Sequence, residues 1–102
     1  RFIDVVRVHN SDFTVLVSVS PVPFIATTRS RECHVIAANM HSKSILRVVA
    51  EEIVKTNRDT HYFPSYEMAI TCTRDPWQAD QHHLTPEGIE GVMRLFDAMF
   101  VK

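Results

Sequence analysis

The spacing of apolar residues predicts three helices along the chain. Residues 1–9 carry apolar side chains at positions 2, 5 and 6, which indicates the end of a helix. A second helix is predicted to start at Ser42 and to end at residues 57–59, and either Ser42 or Asn39 can cap its first turn. Its apolar stripe consists of Ile45, Leu46, Val49, Ile53 and Val54.

The third predicted helix begins at Thr85 and Pro86. Thr85 is a favourable N-cap, and Pro86 occupies the first helical position, where its missing N–H costs nothing. The apolar positions that follow recur at helical spacing and predict a buried stripe of Ile89, Val92, Met93, Phe96, Met99 and Phe100.

Two segments have the composition of β-strands that are covered on both faces. Residues 13–19 are β-branched and almost continuously apolar, which is typical of a strand in a parallel sheet. Prolines at positions 21 and 23 end this strand, since proline cannot continue a ladder. Residues 61–63 predict a second short strand, which ends at Pro64. The helix between the two strands makes them a βαβ unit.

Weaker patterns lie between these elements. Residues 33–37 predict a short extended piece, and residues 68–72 are weakly strand-like within a long connection, 65–84. The overall order is therefore α–β–α–β–α. Two strands cannot cover the apolar faces of three helices, so we expect further parts of the same domain outside these 102 residues.

Composition and charge exclude several classes of protein. With 45% apolar and 23% charged residues, the chain is not intrinsically disordered. A net charge of −1 provides no basic field, so we expect neither a nucleic-acid partner nor an anionic membrane surface. No apolar run is long enough for a membrane span. With only two glycines, the chain cannot form a P-loop, a dinucleotide-binding GxGxxG or a GxSxG nucleophile elbow.

The two cysteines bear on the cellular compartment. Cys33 and Cys72 form no CxxC pair and are predicted to be free thiols, which favours a reducing, cytoplasmic location. The chain starts without Met and in the middle of a helical pattern. We therefore expect it to be a piece of a longer protein, and any targeting signal would precede it.

Asp80 and His83 are the residues with the clearest catalytic potential. At this spacing in a turn, the carboxylate can accept from the imidazole Nδ1–H and leave Nε2 free as a base. An exposed polar turn is the alternative reading of the same pattern. Metal binding by His82 and His83 would need a further ligand, such as Cys33, His34 or Cys72, and no spacing supports it.

A serine nucleophile is not evident in the chain. Ser20 and Ser65 lie at the predicted strand ends, where sites gather in open α/β sheets. Neither follows a glycine, and neither has an obvious oxyanion donor beside it. From the residues alone, Asp80 and His83 therefore have no recognisable serine nucleophile beside them.

Four motifs occur in a fixed order along the chain. They are SVSPVP at 18–23, Ala38-Asn39 with Ser42-Lys43-Ser44, YFPSYE at 62–67, and Trp77 with Asp80-x-x-His83 and Pro86. Together they resemble the C-terminal part of the GSCFA family of SGNH (GDSL-like) hydrolases, and the resemblance covers nearly the whole chain.

This resemblance implies a C-terminal portion of a flavodoxin-like (SGNH-type) three-layer α/β/α sandwich with parallel strands, occupying residues 1–102. It implies hydrolysis of acyl esters through a Ser-His-Asp triad without a cofactor or metal, in which His83 is the base and Asp80 orients it. Recurrent family positions make five further residues candidates for substrate binding: Asn39, Ser42, Lys43, Tyr66 and Glu67.

One departure from the family limits what this chain can do by itself. The Gly-Ser-Cys-Phe-Ala motif, which carries the family's serine, is absent. The resemblance therefore implies a fragment whose partners are the N-terminal half of its own domain and a small-molecule or glycan acyl ester. Two alternatives stay open: a non-catalytic α/β binding or assembly module, and a sugar O-acyltransferase on the same scaffold.

Overall fold

The computed structural model describes residues 2–101 and is a mixed α/β structure, as the sequence predicts. No helix in this described part is both long enough and apolar enough to cross a membrane. In chain order, the elements are α1 (Phe2–His9), β1 (Val15–Val17), α2 (Val35–Thr56), β2 (Thr60–Tyr62), α3 (Ser65–Glu67) with a π-helical continuation (Met68–Cys72), and α4 (Pro86–Phe100).

Strands β1 and β2 form a parallel two-stranded sheet, with Val15 opposite Thr60. The predicted βαβ order is therefore confirmed, although the ladder of β1 is shorter than the predicted strand at 13–19. Val15 N–H donates to the Asp59 carbonyl at 2.9 Å. Since alternate residues of a parallel strand bond to opposite sides, the peptide groups of Leu16 point away from β2. Within residues 2–101 this edge of β1 has no neighbouring strand.

A small core lies where the two strands end. Val19, Ala50 and Tyr66 are buried against one another, and Val17 and Tyr62 pack beside them. The Ser65 hydroxyl donates to the Val19 carbonyl at 3.0 Å and is itself buried. We call Val19, Ala50, Ser65 and Tyr66 the strand-end junction, because it joins β1, α2 and α3.

Helix α2 begins earlier than the sequence predicts. The predicted extended piece at 33–37 and the predicted start at Ser42 are both wrong, since the helix starts at Val35. His34 caps it: its Nδ1 accepts from the Ile36 N–H at 3.2 Å, a role taken by neither Ser42 nor Asn39. Histidine is not among the common N-caps, so residue preferences place the start too late.

The predicted strand-like segment at 68–72 is also wrong, because these residues form a π-helical turn. Side chains support this irregular backbone: the hydroxyl of Thr73 donates to the Met68 carbonyl at 3.1 Å. Ala69 is fully buried beneath the turn. Burial and these local bonds override the β-propensity of Ile70 and Thr71.

Much of the apolar surface remains uncovered in the described chain. On α4, the rings of Phe96 and Phe100 lie 5.6 and 6.1 Å from that of Phe63. These two side chains and Val92 are half-buried, whereas Ile89, Met93 and Met99 are exposed. Several members of the two predicted stripes are about half exposed: Ile45, Leu46 and Val49 on α2, and Ile89, Met93 and Met99 on α4. The prediction of a fully buried stripe on α4 is therefore wrong for this chain alone, since a two-stranded sheet offers too little area to cover it.

Residues 76–85, which we call the hairpin loop, lead directly into α4. The Thr85 N–H donates to the Pro76 carbonyl and the Gln78 N–H to the His83 carbonyl, both at 2.8 Å. Thr85 then caps α4, accepting from the Gly88 N–H at 3.1 Å, as predicted. A Cβ at Gly88 would lie 3.2 Å from the Pro76 carbonyl oxygen, so glycine permits this close approach.

We predict that Thr85→Ala lowers the free energy of unfolding by about 1 kcal/mol, because the Gly88 N–H loses its acceptor. Urea unfolding followed by circular dichroism measures this. Thr28 is exposed and caps no helix, so Thr28→Ala is the control and should change stability by less than about 0.5 kcal/mol. Equal losses in the two variants would contradict the capping role.

Candidate active site

The Asp80 carboxylate is held by three donors of its own loop. Its Oδ2 lies 2.6 Å from His83 Nδ1, and its Oδ1 accepts from the backbone N–H groups of His82 and His83 at 3.0 Å each. These bonds, that of the His83 ring first, hold the pKa of Asp80 well below its usual range. The carboxylate therefore stays ionised throughout the neutral range.

The same contact fixes the chemistry of His83. An ionised carboxylate accepts and cannot donate, so Nδ1 carries the proton and Nε2 is the free, basic nitrogen. The side chains of His83 and Asp80 are 67% and 48% exposed, so the pair is open to solvent. The structure thus brings together the two residues that the sequence singles out, in the arrangement of a histidine base and its orienting partner.

A left-handed residue makes this arrangement possible. Gln81 has φ of 56°, and its N–H donates to the Gln78 carbonyl at 2.9 Å. The reversal of the chain at Gln81 turns the next two N–H groups back towards Asp80. For a residue with a Cβ this conformation costs about 1 kcal/mol, which the three bonds to Asp80 offset.

His82 connects the hairpin loop to a distant part of the chain. Its Nδ1 lies 3.0 Å from the Pro23 carbonyl oxygen, and its ring meets that of His83 edge to face at 4.9 Å. Sequence reasoning missed this anchoring role, because a contact across 59 residues leaves no local signal. Among residues 2–101, no three His, Cys, Asp or Glu side chains are placed to hold a metal ion.

A groove of about 610 Å³ lies between the hairpin loop, α2 and the segment that follows β1. Its lining residues are Pro21, Pro23, Phe24, Ile36, Asn39, Met40, Tyr66, Ile70, Trp77 and Gln81. Two of the five predicted binding residues, Asn39 and Tyr66, are among them. Asn39 Oδ1 accepts from the Phe24 N–H at 3.0 Å, and the Tyr66 hydroxyl lies 3.7 Å from Met40 sulfur.

Glu67 lies in a polar network outside the groove lining. Both of its carboxylate oxygens lie 2.9 Å from the Tyr62 hydroxyl, and Arg47 Nε donates to it at 3.2 Å. The Arg47 guanidinium stacks 4.0 Å from the centre of the Tyr62 ring. Burial first, and then the Glu67 carboxylate, raise the pKa of Tyr62 to about 12. These contacts give Glu67 a structural role in holding α3 to α2.

Lys43 and Ser42 also lie outside the groove lining. Lys43 is only 4% exposed, and no hydrogen bond or ion pair joins its ammonium group to residues 2–101. Burial lowers its pKa from the usual value. Ser42 is half-buried on the same turn of α2. A substrate-binding role for either residue stays a prediction.

The two serines at the strand ends are occupied locally. The Ser65 hydroxyl belongs to the strand-end junction, and the Ser20 hydroxyl accepts from the Val22 N–H at 3.3 Å. Neither forms a hydrogen bond with His83. The described residues therefore present the Asp80–His83 pair without a serine in contact.

Comparison with known proteins gives one match. The sequence model of the GSCFA family matches residues 1–96, which is nearly the whole chain. No curated protein and no solved structure matches.

We predict that the His83 ring carries its proton on Nδ1 and that Asp80→Asn weakens this preference. Nitrogen-15 NMR of the imidazoles distinguishes the two tautomers. In the wild type, the Nδ1–H resonance of His83 should be sharp and far downfield; in Asp80→Asn it should broaden or vanish, because a neutral amide binds this donor less strongly. His41 is exposed on α2 and should be unaffected. An Nε2–H tautomer in the wild type would contradict this geometry.

We predict that Lys43→Met raises the free energy of unfolding by on the order of 1 kcal/mol at pH 7, since methionine fills the site without a charge. Because the pKa of Lys43 is lower in the folded protein than in the unfolded chain, its charged form destabilises the folded protein. This loss of unfolding free energy is complete below the folded-state pKa and fades as the pH rises towards 10.5, the value in the unfolded chain. The gain should therefore be smaller at pH 10 than at pH 7 in urea unfolding.

The matched control is Lys55→Met, since Lys55 is 61% exposed on the same helix. It should change stability little and with no such pH dependence. Destabilisation by Lys43→Met at both pH values would show that the ammonium group has a partner that stabilises it.

Proposed function

The chain belongs to the GSCFA family, and we propose that it supplies the histidine base and its orienting aspartate to a serine ester hydrolase. The observation that carries this proposal is the 2.6 Å contact between His83 Nδ1 and Asp80 Oδ2, which leaves Nε2 basic and open to solvent. The resemblance of the Asp80-x-x-His83 motif to that of SGNH hydrolases supports the same assignment.

The proposed reaction transfers an acyl group twice. A serine hydroxyl from an upstream part of the same domain attacks the ester carbonyl, while Nε2 of His83 takes its proton. The tetrahedral adduct collapses as the imidazolium gives that proton to the leaving alcohol, and an acyl-serine remains. Water then attacks, with its proton passing through Nε2 to the serine, and the carboxylic acid leaves. Asp80 stays ionised throughout and stabilises the imidazolium.

We also propose that the described elements form part of a larger parallel sheet sandwiched between helices, as in flavodoxin-like domains. Two features support this. Within the described residues 2–101, the peptide groups of Leu16 have no strand beside them, and apolar residues of α1 and α2 lie along that edge, among them Ile3 and Ile53. The N-terminal half of the same domain is the proposed partner for this edge, and it would bring the serine and the oxyanion donors.

The substrate in this proposal is a small-molecule or glycan acyl ester. The described groups also suit a sugar O-acyltransferase, because an alcohol that replaces water at the acyl-serine receives the acyl group. The two activities differ in product alone. A competing alcohol acceptor in the assay separates them: a transferase forms a new ester, and a hydrolase releases the acid.

We predict that His83→Ala lowers kcat/KM for ester hydrolysis by about 10³-fold or more, and Asp80→Asn by about 10²-fold or more, because both steps use the Nε2 base. The assay uses the protein that contains this chain together with its upstream serine. Hydrolysis of a chromogenic ester and labelling of the serine with a fluorophosphonate are the measurements. His41→Ala is the control and should leave both unchanged.

Equal hydrolysis and labelling in the wild type and His83→Ala would rule out the proposed base. A protein without esterase or acyltransferase activity that is nevertheless folded would instead be a non-catalytic binding or assembly module. In the 102-residue chain alone, we expect no hydrolysis, because the serine and the oxyanion donors supply the main rate terms.

A further inference from the structure

Asp80 and His83, which we call the candidate dyad, lie on the hairpin loop, and this loop forms one wall of the groove. The walls come from four separate parts of the chain. Helix α2 contributes Ile36, Asn39 and Met40, and α3 with its π-helical continuation contributes Tyr66 and Ile70. The segment after β1 and the hairpin loop complete it with two prolines, Phe24, Trp77 and Gln81. No side chain that lines it carries a charge at neutral pH, and most are apolar or aromatic.

Several polar groups of the lining are engaged within the protein. Asn39 Oδ1 is bound to the Phe24 N–H, and the Gln81 amide donates to the Gln78 carbonyl at 3.3 Å. The Tyr66 hydroxyl is directed at Met40 sulfur. A ligand that enters this groove therefore finds mainly apolar surface, together with three polar groups: the Asn39 amide NH2, the Gln81 amide oxygen and the Trp77 indole N–H. Burying a charged or hydroxyl-rich ligand here would cost free energy.

The groove and the dyad share one loop. Gln81 lines the groove and lies between Asp80 and His82 in the chain. His82 is bound to the carbonyl of Pro23, which also lines the groove. A ligand seated in the groove is therefore held next to the segment that carries His83.

We propose that this groove binds the apolar acyl group of an uncharged ester and places its carbonyl beside His83. The inference rests on the proposed function, which it deepens by naming the substrate class. The groove has a volume of about 610 Å³, which lies within the usual range of small-molecule sites. An acetyl group would leave most of this space empty. Acyl groups of several carbons fill more of the apolar surface and gain more from leaving water.

The chain contains its own reporter for this binding. Trp77 is the only tryptophan of the 102 residues, and it lines the groove. Fluorescence of Trp77 is recorded while the chain is titrated with methyl acetate, methyl butanoate and methyl hexanoate. The dissociation constant should fall by about fourfold for each added methylene that becomes buried. The readout is binding, so it does not depend on a serine nucleophile.

Two isoleucines of α2 provide a matched pair of variants. Ile36 lines the groove and is 70% exposed, whereas Ile45 lies outside it and is 50% exposed. Ile36→Glu should weaken binding of methyl hexanoate by about tenfold or more, because a carboxylate enters an apolar wall. Ile45→Glu should leave binding unchanged.

Three results would overturn the proposal. They are equal dissociation constants across the ester series, hexanoate ion binding as tightly as methyl hexanoate, and a response of Trp77 to methyl glucoside but not to the esters. If the esters bind as expected while His83→Ala keeps full esterase activity in the longer protein, the proposed function fails and the groove assignment stands. If His83→Ala loses esterase activity but Trp77 reports no ester binding, the proposed function stands and the groove assignment fails.

Discussion

The packing of Val19 against Ala50 and Tyr66 is the contact on which the rest of the structure depends. It joins the end of β1 to α2 and α3, and the bond from Ser65 to the Val19 carbonyl fixes their relative positions. From this junction the chain continues directly into Pro21 and Pro23, while Tyr66 forms part of the groove. The groove therefore extends from the core itself. The dyad is joined to it by the bond between His82 and Pro23. A small buried contact thus positions a much larger open surface.

The charged groups around the site belong to separate clusters, and each cluster has its own contacts. Asp80 is fully engaged in holding His83, and Glu67 is engaged in holding Tyr62 and Arg47. The groove between these two clusters has no charged lining residue. Lys43 is the exception among the charged residues of α2, because its side chain is 4% exposed and no ion pair joins it to residues 2–101. This separation leaves an uncharged, mainly apolar groove, one wall of which comes from Gln81 on the loop that carries Asp80 and His83.

Local features of the site could be predicted from the sequence, and contacts between distant segments could not. The spacing of Asp80 and His83 and the cap at Thr85 act within a few residues, so the sequence predicts both. Helix α2 begins early because His34 acts as a cap, a use of histidine that residue preferences do not anticipate. Residues 68–72 become helical through burial of Ala69, which is a tertiary effect. The anchoring of His82 to Pro23 and the groove depend on the folded chain as a whole, so no local pattern indicates them.

The hairpin loop has a consequence for the order of folding. The bonds within this loop join residues at most nine positions apart, from Pro76 to Thr85, and the contact between Asp80 and His83 spans three. Closing a loop of this length takes on the order of 10–100 ns, because little chain entropy is lost. Pairing Val15 with Thr60 closes a far longer loop and is correspondingly slower. The contacts that set the tautomer of His83 therefore depend on the chain within ten residues of it, whereas the groove also depends on segments that only the folded sheet brings together.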